Sequence, residues 1–169
     1  MKPDEFYQML SDNLAKLQTV DERLEMAALL ISRAFSLKPE EVAFFSFHAQ
    51  EETITFLWPP KLKTAGAVPL SAVNSLVVKT TLENRGFINN SFATTPHAAI
   101  FELIHTHKTD EKPLPIQKIL SVPMDGHGET KGVIQVSRKG ENMASAGKDF
   151  TPIELTVLHR AGEIIAGYL

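Results

Sequence analysis

The N-terminal part of the chain has the residue spacing of amphipathic helices. Hydrophobic residues recur at every third or fourth position from residue 4 to residue 18, and again from Leu24 to Phe35, which predicts a helix in each segment. Thr19 is expected to cap the second helix, because Glu22 follows it at the spacing of a capping box. Pro39 is expected to stop that helix.

The sequence also predicts two β-hairpins. Residues 42–47 and 53–58 are rich in β-branched and aromatic residues, and the polar residues between them fit a turn. Residues 118–124 and 132–137 form a second pair of strands around the glycine-rich turn at 125–129. The first strand is apolar at consecutive positions, so we expect it to be covered on both faces.

A further helix is expected between the hairpins. Ser71 can cap a helix that runs to about Asn84, with Val73 and Leu82 among its inward-facing residues. Gly86 is expected to end this helix, because glycine adopts the left-handed backbone conformation without strain.

The remaining segments complete an α+β pattern. Residues 87–88 predict a short strand, and residues 89–116 an irregular region with one short helix. Thr151 and Glu154 form a capping box around Pro152, which stands at the first position of the last helix. The resulting order, αα-ββ-α-β-α-ββ-α, predicts an antiparallel sheet with helices on both faces.

Composition and charge exclude several classes of function. A length of 169 residues suits one domain over residues 1–169. With 17 basic and 20 acidic residues the net charge is −3, which argues against nucleic-acid binding, and no apolar run is long enough to span a membrane. The chain has no cysteine, which removes disulfides, thiol nucleophiles and cysteine-ligated metals. We expect a cytoplasmic protein.

The C-terminal third of the sequence resembles the GAF domain family. Residues 120–124, Leu-Ser-Val-Pro-Met, are similar to a Ser-Val-Pro-Leu-like strand of that family. Residues 132–136, Gly-Val-Ile-Gln-Val, are similar to its Gly-Val-Ile strand, and Arg138-Lys139 follow them. Residues 150–155, Phe-Thr-Pro-Ile-Glu-Leu, are similar to the entry into its final helix. With the N-terminal helix and first strand, the resemblance covers nearly the whole chain.

This resemblance implies a GAF/PAS-like antiparallel sheet of five or six strands. The first and last helices would pack on one face, and a helical segment within residues 71–116 would cover a pocket on the other face. GAF domains are sensory or regulatory modules that bind cyclic nucleotides, bilins, haem, other small metabolites or no known ligand. The fold by itself does not name the ligand.

The sequence departs from three better-defined branches of the family. Bilin-attaching members and members that reduce free methionine sulfoxide need cysteines, which this chain lacks. The cyclic-nucleotide phosphodiesterase branch carries an Asn-Lys pair, a later Phe and an Asp-Glu pair. Here Asp110-Glu111 are present, but Thr106 stands where the Phe would be and no Asn-Lys pair occurs. The identity of any ligand or cofactor therefore stays open.

Several residues have the character of a small-molecule pocket, in which a few polar groups are placed among apolar walls. We expect Phe92 and Phe101 to face a cavity between their segment and the sheet. The alternatives are solvent-facing turn residues and, for Trp58, packing in the core. The candidate ligand-binding residues are Phe47, Trp58, Asn89, Ser91, Phe92, His97, Phe101 and Ser121.

Catalytic and metal sites have weaker support. Ser91, His97 and Asp110 could gather into a hydrolytic site, but no local nucleophile motif supports one. The spacing of the histidines gives no metal-binding pair on one helix face, although they could still gather in space to hold a metal or haem. These histidines are His97, His105, His107 and His127. We expect neither catalysis nor a bound metal.

The leading hypothesis is a non-catalytic sensory or regulatory module that binds an unidentified small molecule in a pocket over the sheet. One alternative is a degenerate GAF domain that acts only through protein–protein contacts, and another is a small uncharacterised enzyme. Pocket volume should separate the first two hypotheses, and a cluster of shifted pKa values in the pocket would favour the third.

The terminal helices predict a homodimer. Val157, Ile164 and Tyr168 occupy a different arc of the last helix from the residues expected to face the sheet, and the second helix has similar surplus residues at Met26 and Leu30. A helix that is apolar on more than one side needs more than one partner. A two-fold pairing of these helices would cover the second arc in a self-complementary way.

Overall fold

All strands that the structure describes belong to one antiparallel sheet. The computed structural model describes residues 1–96, 114–126 and 128–169. The sheet order is β3-β2-β1-β6-β5-β4, which confirms the predicted α+β fold with five or six strands. The strands are β1 (Val42–His48), β2 (Thr53–Trp58), β3 (Ala67–Pro69), β4 (Phe87–Asn89), β5 (Ile116–Gly126) and β6 (Glu129–Lys139).

Helices cover both faces of this sheet. On the first face α4 lies on β5 and α2 lies against β1, while α1 packs on α4 and α2. On the second face Val77 and Val78 of α3 pack against Phe45 and Val133 of the sheet. The described helices are α1 (Pro3–Ala15), α2 (Val20–Phe35), α3 (Leu76–Glu83) and α4 (Pro152–Ala166).

The strand β1 is buried on both sides, as its consecutive apolar residues predicted. Phe44 belongs to the core under the terminal helices, whereas the next residue, Phe45, belongs to the core under α3. Successive side chains in a strand point to opposite faces of the sheet, so each ring occupies a different core. No helix in the described part of the chain is long and apolar enough to cross a membrane.

The structure corrects the start of α3. The helix begins at Leu76, because the residues after the predicted cap Ser71 form successive turns. Val73 and Leu82, both expected to face inward, are 73% and 60% exposed. The strand β3 was not predicted at all, since its three residues include Pro69 and bury only one side chain.

The end of α3 also differs from the prediction. The left-handed residue is Asn84, with φ 43°, and not Gly86. Asparagine tolerates this conformation better than other side chains do. Gly86 serves a different purpose, because a Cβ there would lie 2.6 Å from Cδ1 of Leu155. A larger residue would have to displace the side chain of Leu155, where the chain entering β4 passes close to α4.

Capping boxes fix the start of two helices of the first face. Oγ1 of Thr151 accepts a hydrogen bond from the backbone N–H of Glu154 at 3.2 Å, and Oε2 of Glu154 accepts one from the N–H of Thr151 at 2.8 Å. Thr19 and Glu22 make the same pair of bonds at the start of α2, at 3.2 and 3.0 Å. Both boxes are found where the sequence predicted them.

We expect Thr151→Ala to lower the free energy of unfolding by about 1 kcal/mol, because it removes the side-chain acceptor for a first-turn N–H. Thr156→Ala is the matched control, since Thr156 is an exposed threonine within the same helix. The control should cause no loss, because alanine is the better helix former. Urea denaturation measures the free energy of unfolding of both variants. Equal free energies for the two variants would contradict the cap at Thr151.

Candidate functional site

A row of buried polar side chains crosses the second face of the sheet beneath α3. Ser121 of β5 lies opposite Gln135 of β6, and Thr80 of α3 stands over them. Ser121 and Thr80 are fully buried and Gln135 is 5% exposed. Burying a polar group costs free energy unless it is hydrogen-bonded, so each of these side chains should have a defined hydrogen-bond partner.

These side chains form a hydrogen-bond chain with a fixed direction. Nε2 of Gln135 donates to Oγ of Ser121 at 3.2 Å, and Oγ1 of Thr80 donates to the carbonyl oxygen of Leu76 at 2.8 Å. The distance between the two hydroxyl oxygens is 2.7 Å. The single hydrogen of Thr80 is used on Leu76, so Ser121 must donate to Thr80. The series of hydrogen bonds therefore runs from Gln135 in the sheet, through Ser121 and Thr80, to the backbone of α3.

A small cavity, called here the inner cavity, lies on the same face of the sheet. Its volume is about 30 Å³, which is room for one or two water molecules. Gln135 and Ser137 of β6 form part of its wall, together with Ala43 and Leu62. Glu40, Glu41 and Lys139 are the charged residues that line it.

A larger opening, the outer cleft, lies between the start of α3 and the chain around β4. Its volume is about 240 Å³, slightly below the size of a typical small-molecule site. Leu76 and Phe92 supply apolar walls, and Lys79, Asn89 and Thr95 supply polar groups. The cleft therefore has the mixed lining that ligand sites share.

A small apolar cluster links the two openings. Phe92, Ile116 and Ile119 form it, with Leu76 packed against them. Leu76 and Phe92 line the outer cleft, whereas Ile116 and Ile119 line the inner cavity. The openings are thus neighbouring spaces on one face of the sheet, on either side of this apolar cluster.

The turn that carries Phe92 is held by asparagine hydrogen bonds. Oδ1 of Asn89 accepts from the backbone N–H of Ser91 at 2.9 Å, and Nδ2 of Asn89 donates to Oγ1 of Thr95 at 2.9 Å. Asn90 anchors the same turn to the loop before α4, because it exchanges two hydrogen bonds with the backbone of Phe150. These bonds set Phe92 against the sheet, where it is 7% exposed.

The structure brings only some of the predicted site residues together. Asn89 and Phe92 line the outer cleft, and Ser121 lies in the polar row. Ser91 is exposed and contributes backbone groups to the turn. Phe47 packs at the edge of the core under α3.

Trp58 lies apart from the other predicted residues. It is half-buried and packs against the core of the first face, under the terminal helices. This is the core-packing alternative that the sequence left open for it. His97 and Phe101 lie outside the described residues, as do His105, His107, Asp110 and His127. The expectation that Phe92 and Phe101 both face a cavity between their segment and the sheet therefore stays a prediction.

Sequence reasoning missed Gln135 and Thr80, which carry the polar row with Ser121. One signal was available, because Gln135 interrupts the apolar run Val133-Ile134-Gln135-Val136 in a strand that the sequence predicts to be buried. A polar residue in such a run has to find a partner. Its partners are distant in sequence, so the pattern alone does not identify them.

The shifted pKa values that the structure gives lie on the terminal helices. Burial raises the pKa of Tyr7 on α1. The hydrogen bond from the backbone of Thr19 is the main cause that lowers the pKa of Glu22 at the start of α2. Both groups belong to the first face, and their shifts follow from packing and capping. Within the described ranges, no three histidine or acidic residues are grouped to hold a metal ion.

No family model matches this sequence, and no curated protein matches it either. Solved structures do resemble the fold. The GAF domain of the Acinetobacter phosphoenolpyruvate-protein phosphotransferase is 12% identical, with a TM-score of 0.72 over 97% of this chain and 90% of that chain. The corresponding GAF domain from Coxiella burnetii is 9% identical, with a TM-score of 0.73 over 98% of this chain and 90% of that chain.

An enzyme shares the same architecture. Free methionine-R-sulfoxide reductase from Neisseria meningitidis, solved in complex with its substrate, is 13% identical, with a TM-score of 0.69. The match covers 98% of this chain and 87% of that chain. At such low identities the likeness concerns the fold alone. The chain therefore has the fold of a GAF domain, as its sequence resemblance predicted.

Proposed function

We propose that this protein is a non-catalytic sensory or regulatory module that binds a small molecule over the second face of the sheet. The observation that carries the proposal is the arrangement of the outer cleft and the inner cavity around the Phe92 cluster. Ligand sites combine apolar walls with a few placed polar groups, and this face offers both. The cytoplasmic location expected from the sequence is part of the proposal.

The fold comparisons support this choice among the three hypotheses. The GAF-domain fold suggests a sensory or regulatory role, and the two phosphotransferase neighbours are themselves GAF domains of larger proteins. The Neisseria reductase holds its substrate on a similar scaffold, so the fold is able to accommodate a small molecule. This chain has no cysteine for the reductive chemistry of that group, which favours binding without catalysis.

Native mass spectrometry of the freshly purified protein tests the proposal. We expect native species whose mass exceeds a whole multiple of the 18.7 kDa chain mass, and this excess should be lost on denaturation. Val73→Trp, at an exposed position on the rim of the outer cleft, should lower the fraction of loaded protein. Leu82→Trp is the matched control, because Leu82 is similarly exposed but lies near the C-terminal end of α3 and does not line the outer cleft.

The competing function is a degenerate domain that acts only through protein–protein contacts. The small volume of the inner cavity, about 30 Å³, favours it. Native spectra that show only whole multiples of the chain mass, with the same result for both tryptophan variants, would favour this function over ligand binding.

Homodimerisation through the terminal helices remains a proposal. In the structure α1 covers part of the arc predicted for the dimer, since Oγ of Ser11 lies 3.1 Å from the hydroxyl oxygen of Tyr168. Leu30 is buried within the chain, whereas Val157 and Ile164 stay half-buried. The surface left for a second subunit is therefore smaller than the sequence pattern indicates.

Light scattering of the unmodified protein at high micromolar concentration should give about twice the 18.7 kDa chain mass. Ile164→Glu should give monomers or aggregates, because it places a charge in the contact between the helices. Since Ile164 also packs within the chain, circular dichroism has to show that the variant is folded. A monomer mass for the unmodified protein would refute the dimer.

A further inference from the structure

The inner cavity has one polar group whose bonding is incomplete. In the described structure, the side-chain oxygen of Gln135 accepts no hydrogen bond, while its Nε2 donates to Ser121. Gln135 is 95% buried by its own fold and lines the inner cavity. In the described part of the chain, the fully buried side-chain atoms without a partner are Nε of Arg23, Nε1 of Trp58 and Nε of Arg138. The oxygen of Gln135 is not one of them, so it keeps accessible surface at the cavity and is open to a small donor there.

The hydrogen-bond chain holds this carboxamide in one orientation. Ser121 must accept from Gln135, because its own hydrogen is donated to Thr80 and the hydrogen of Thr80 is donated to Leu76. Only the nitrogen end of the carboxamide can supply the required donor. The nitrogen therefore points to β5, and the oxygen points the other way, toward Ala43 of the neighbouring strand β1 and the cavity.

The charges around the cavity disfavour an anion. Glu40 and Glu41 line it. Both carboxylate oxygens of Glu41 accept backbone N–H groups, from Lys38 and Lys139, so this carboxylate is held in place. Nζ of Lys139 donates to the backbone carbonyl of Glu40. With Lys139 the lining has two acidic residues and one basic residue, so a ligand carboxylate or phosphate would meet a net negative lining and the oxygen of Gln135. A neutral N–H donor would meet an acceptor there without this repulsion.

We propose that the inner cavity recognises the amide or urea group of a neutral ligand through the carboxamide of Gln135. The ligand N–H donates to the oxygen of Gln135, and the second N–H of its carboxamide is available to a ligand carbonyl. The small volume of the cavity matches one such group and not a whole metabolite. This inference rests on the proposed function of the same face as a ligand-binding surface.

Formamide and formate are suitable probes, because they are nearly equal in size and differ in charge and in hydrogen-bond donors. We expect formamide to shift the side-chain N–H resonances of Gln135 in a saturable way, and formate at the same concentration to leave them unchanged. Equal responses to the two probes would overturn the inference.

Two glutamine variants provide the matched comparison, read at the backbone resonances of Ser121 and Thr80. Gln135→Met should abolish the formamide response at these resonances. Gln117→Met should retain it, because Gln117 is also 5% exposed on the sheet but donates to the carbonyl of Gly140. A response that survives in folded Gln135→Met overturns the assignment to Gln135.

The two proposals fail in distinguishable ways. A co-purified molecule in native spectra, with no formamide response from the ligand-free protein, overturns the role of Gln135 and leaves ligand binding intact. A protein that carries no bound molecule and does not respond to formamide contradicts both. A formamide response that Gln135→Met removes supports the inference, whatever the native spectra show.

Discussion

Gly132→Ala is expected to lower the free energy of unfolding by about 3 kcal/mol, the upper end of the usual cost of overpacking. A Cβ at this position would lie 1.9 Å from the carbonyl oxygen of Phe45 and 2.6 Å from Cε of Met124. The backbone of β1 cannot move away without breaking its pairing with β6, which also sets Ala43 beside Gln135. The variant should therefore lose both stability and the shape of the inner cavity.

Gly167→Ala is the control for this substitution. Gly167 is exposed just after α4, with φ −70°, and a Cβ there would lie 3.3 Å from the carbonyl oxygen of Ile164. We expect a change within about 0.5 kcal/mol, as for most surface substitutions. Chemical denaturation measures both variants. A Gly132→Ala protein as stable as the control would mean that β1 and β6 do not approach as described.

Arg138→Met is expected to cost about 2 to 3 kcal/mol, because it removes charge-assisted hydrogen bonding from a buried position. Nη2 of Arg138 donates to the carbonyl oxygen of Phe35 at 3.1 Å and lies 3.5 Å from Oε1 of Glu154. Its guanidinium carbon is 4.6 Å from the ring centre of Phe150. One side chain thus connects the last residue of α2 with the start of α4.

Lys148→Met is the control for Arg138→Met, because it removes a positive charge near the same carboxylate but from an exposed position. Nζ of Lys148 lies 3.4 Å from the same Oε1 of Glu154, but the side chain is 66% exposed, against 7% for Arg138. Exposed ion pairs contribute little, so we expect a loss within about 0.5 kcal/mol. Similar losses from the two variants, measured by urea denaturation, would contradict a specific role for Arg138.

Local chemistry explains which parts of the fold could be predicted. The capping boxes at Thr19 and Thr151 depend on a pair of residues three positions apart, so the sequence displays them directly. The consecutive Phe44 and Phe45 likewise indicate a strand with a core on each face. The segments that resemble the GAF family include one of these caps, at Thr151.

The start of α3 and the strand β3 could not be predicted in the same way. Ser71 has the character of a helix cap, but turns between Pro69 and Ser75 use the backbone groups that a helix would need. In β3 only the central residue, Val68, is buried, and three residues are too few for the alternation of a strand to be recognised. Pairing with β2, a tertiary contact, makes this segment a strand.

The polar row of the candidate site could not be predicted, because it depends on contacts between residues that are distant in sequence. Gln135 and Ser121 are 14 positions apart, and Ser121 and Thr80 are 41 positions apart. A single sequence shows each as an isolated polar residue, and only the sheet register places them side by side. The turn residues Asn89 and Phe92 could be proposed from the sequence because a cluster of polar and aromatic residues is visible locally.

A high-resolution crystal structure of the protein as purified, with no ligand added, tests ligand binding over the second face most directly. We predict electron density for a non-protein molecule in the outer cleft beside Phe92, in the inner cavity beside the oxygen of Gln135, or across both. Density for ordered water alone in both spaces, or side chains that fill them, would contradict ligand binding over the second face.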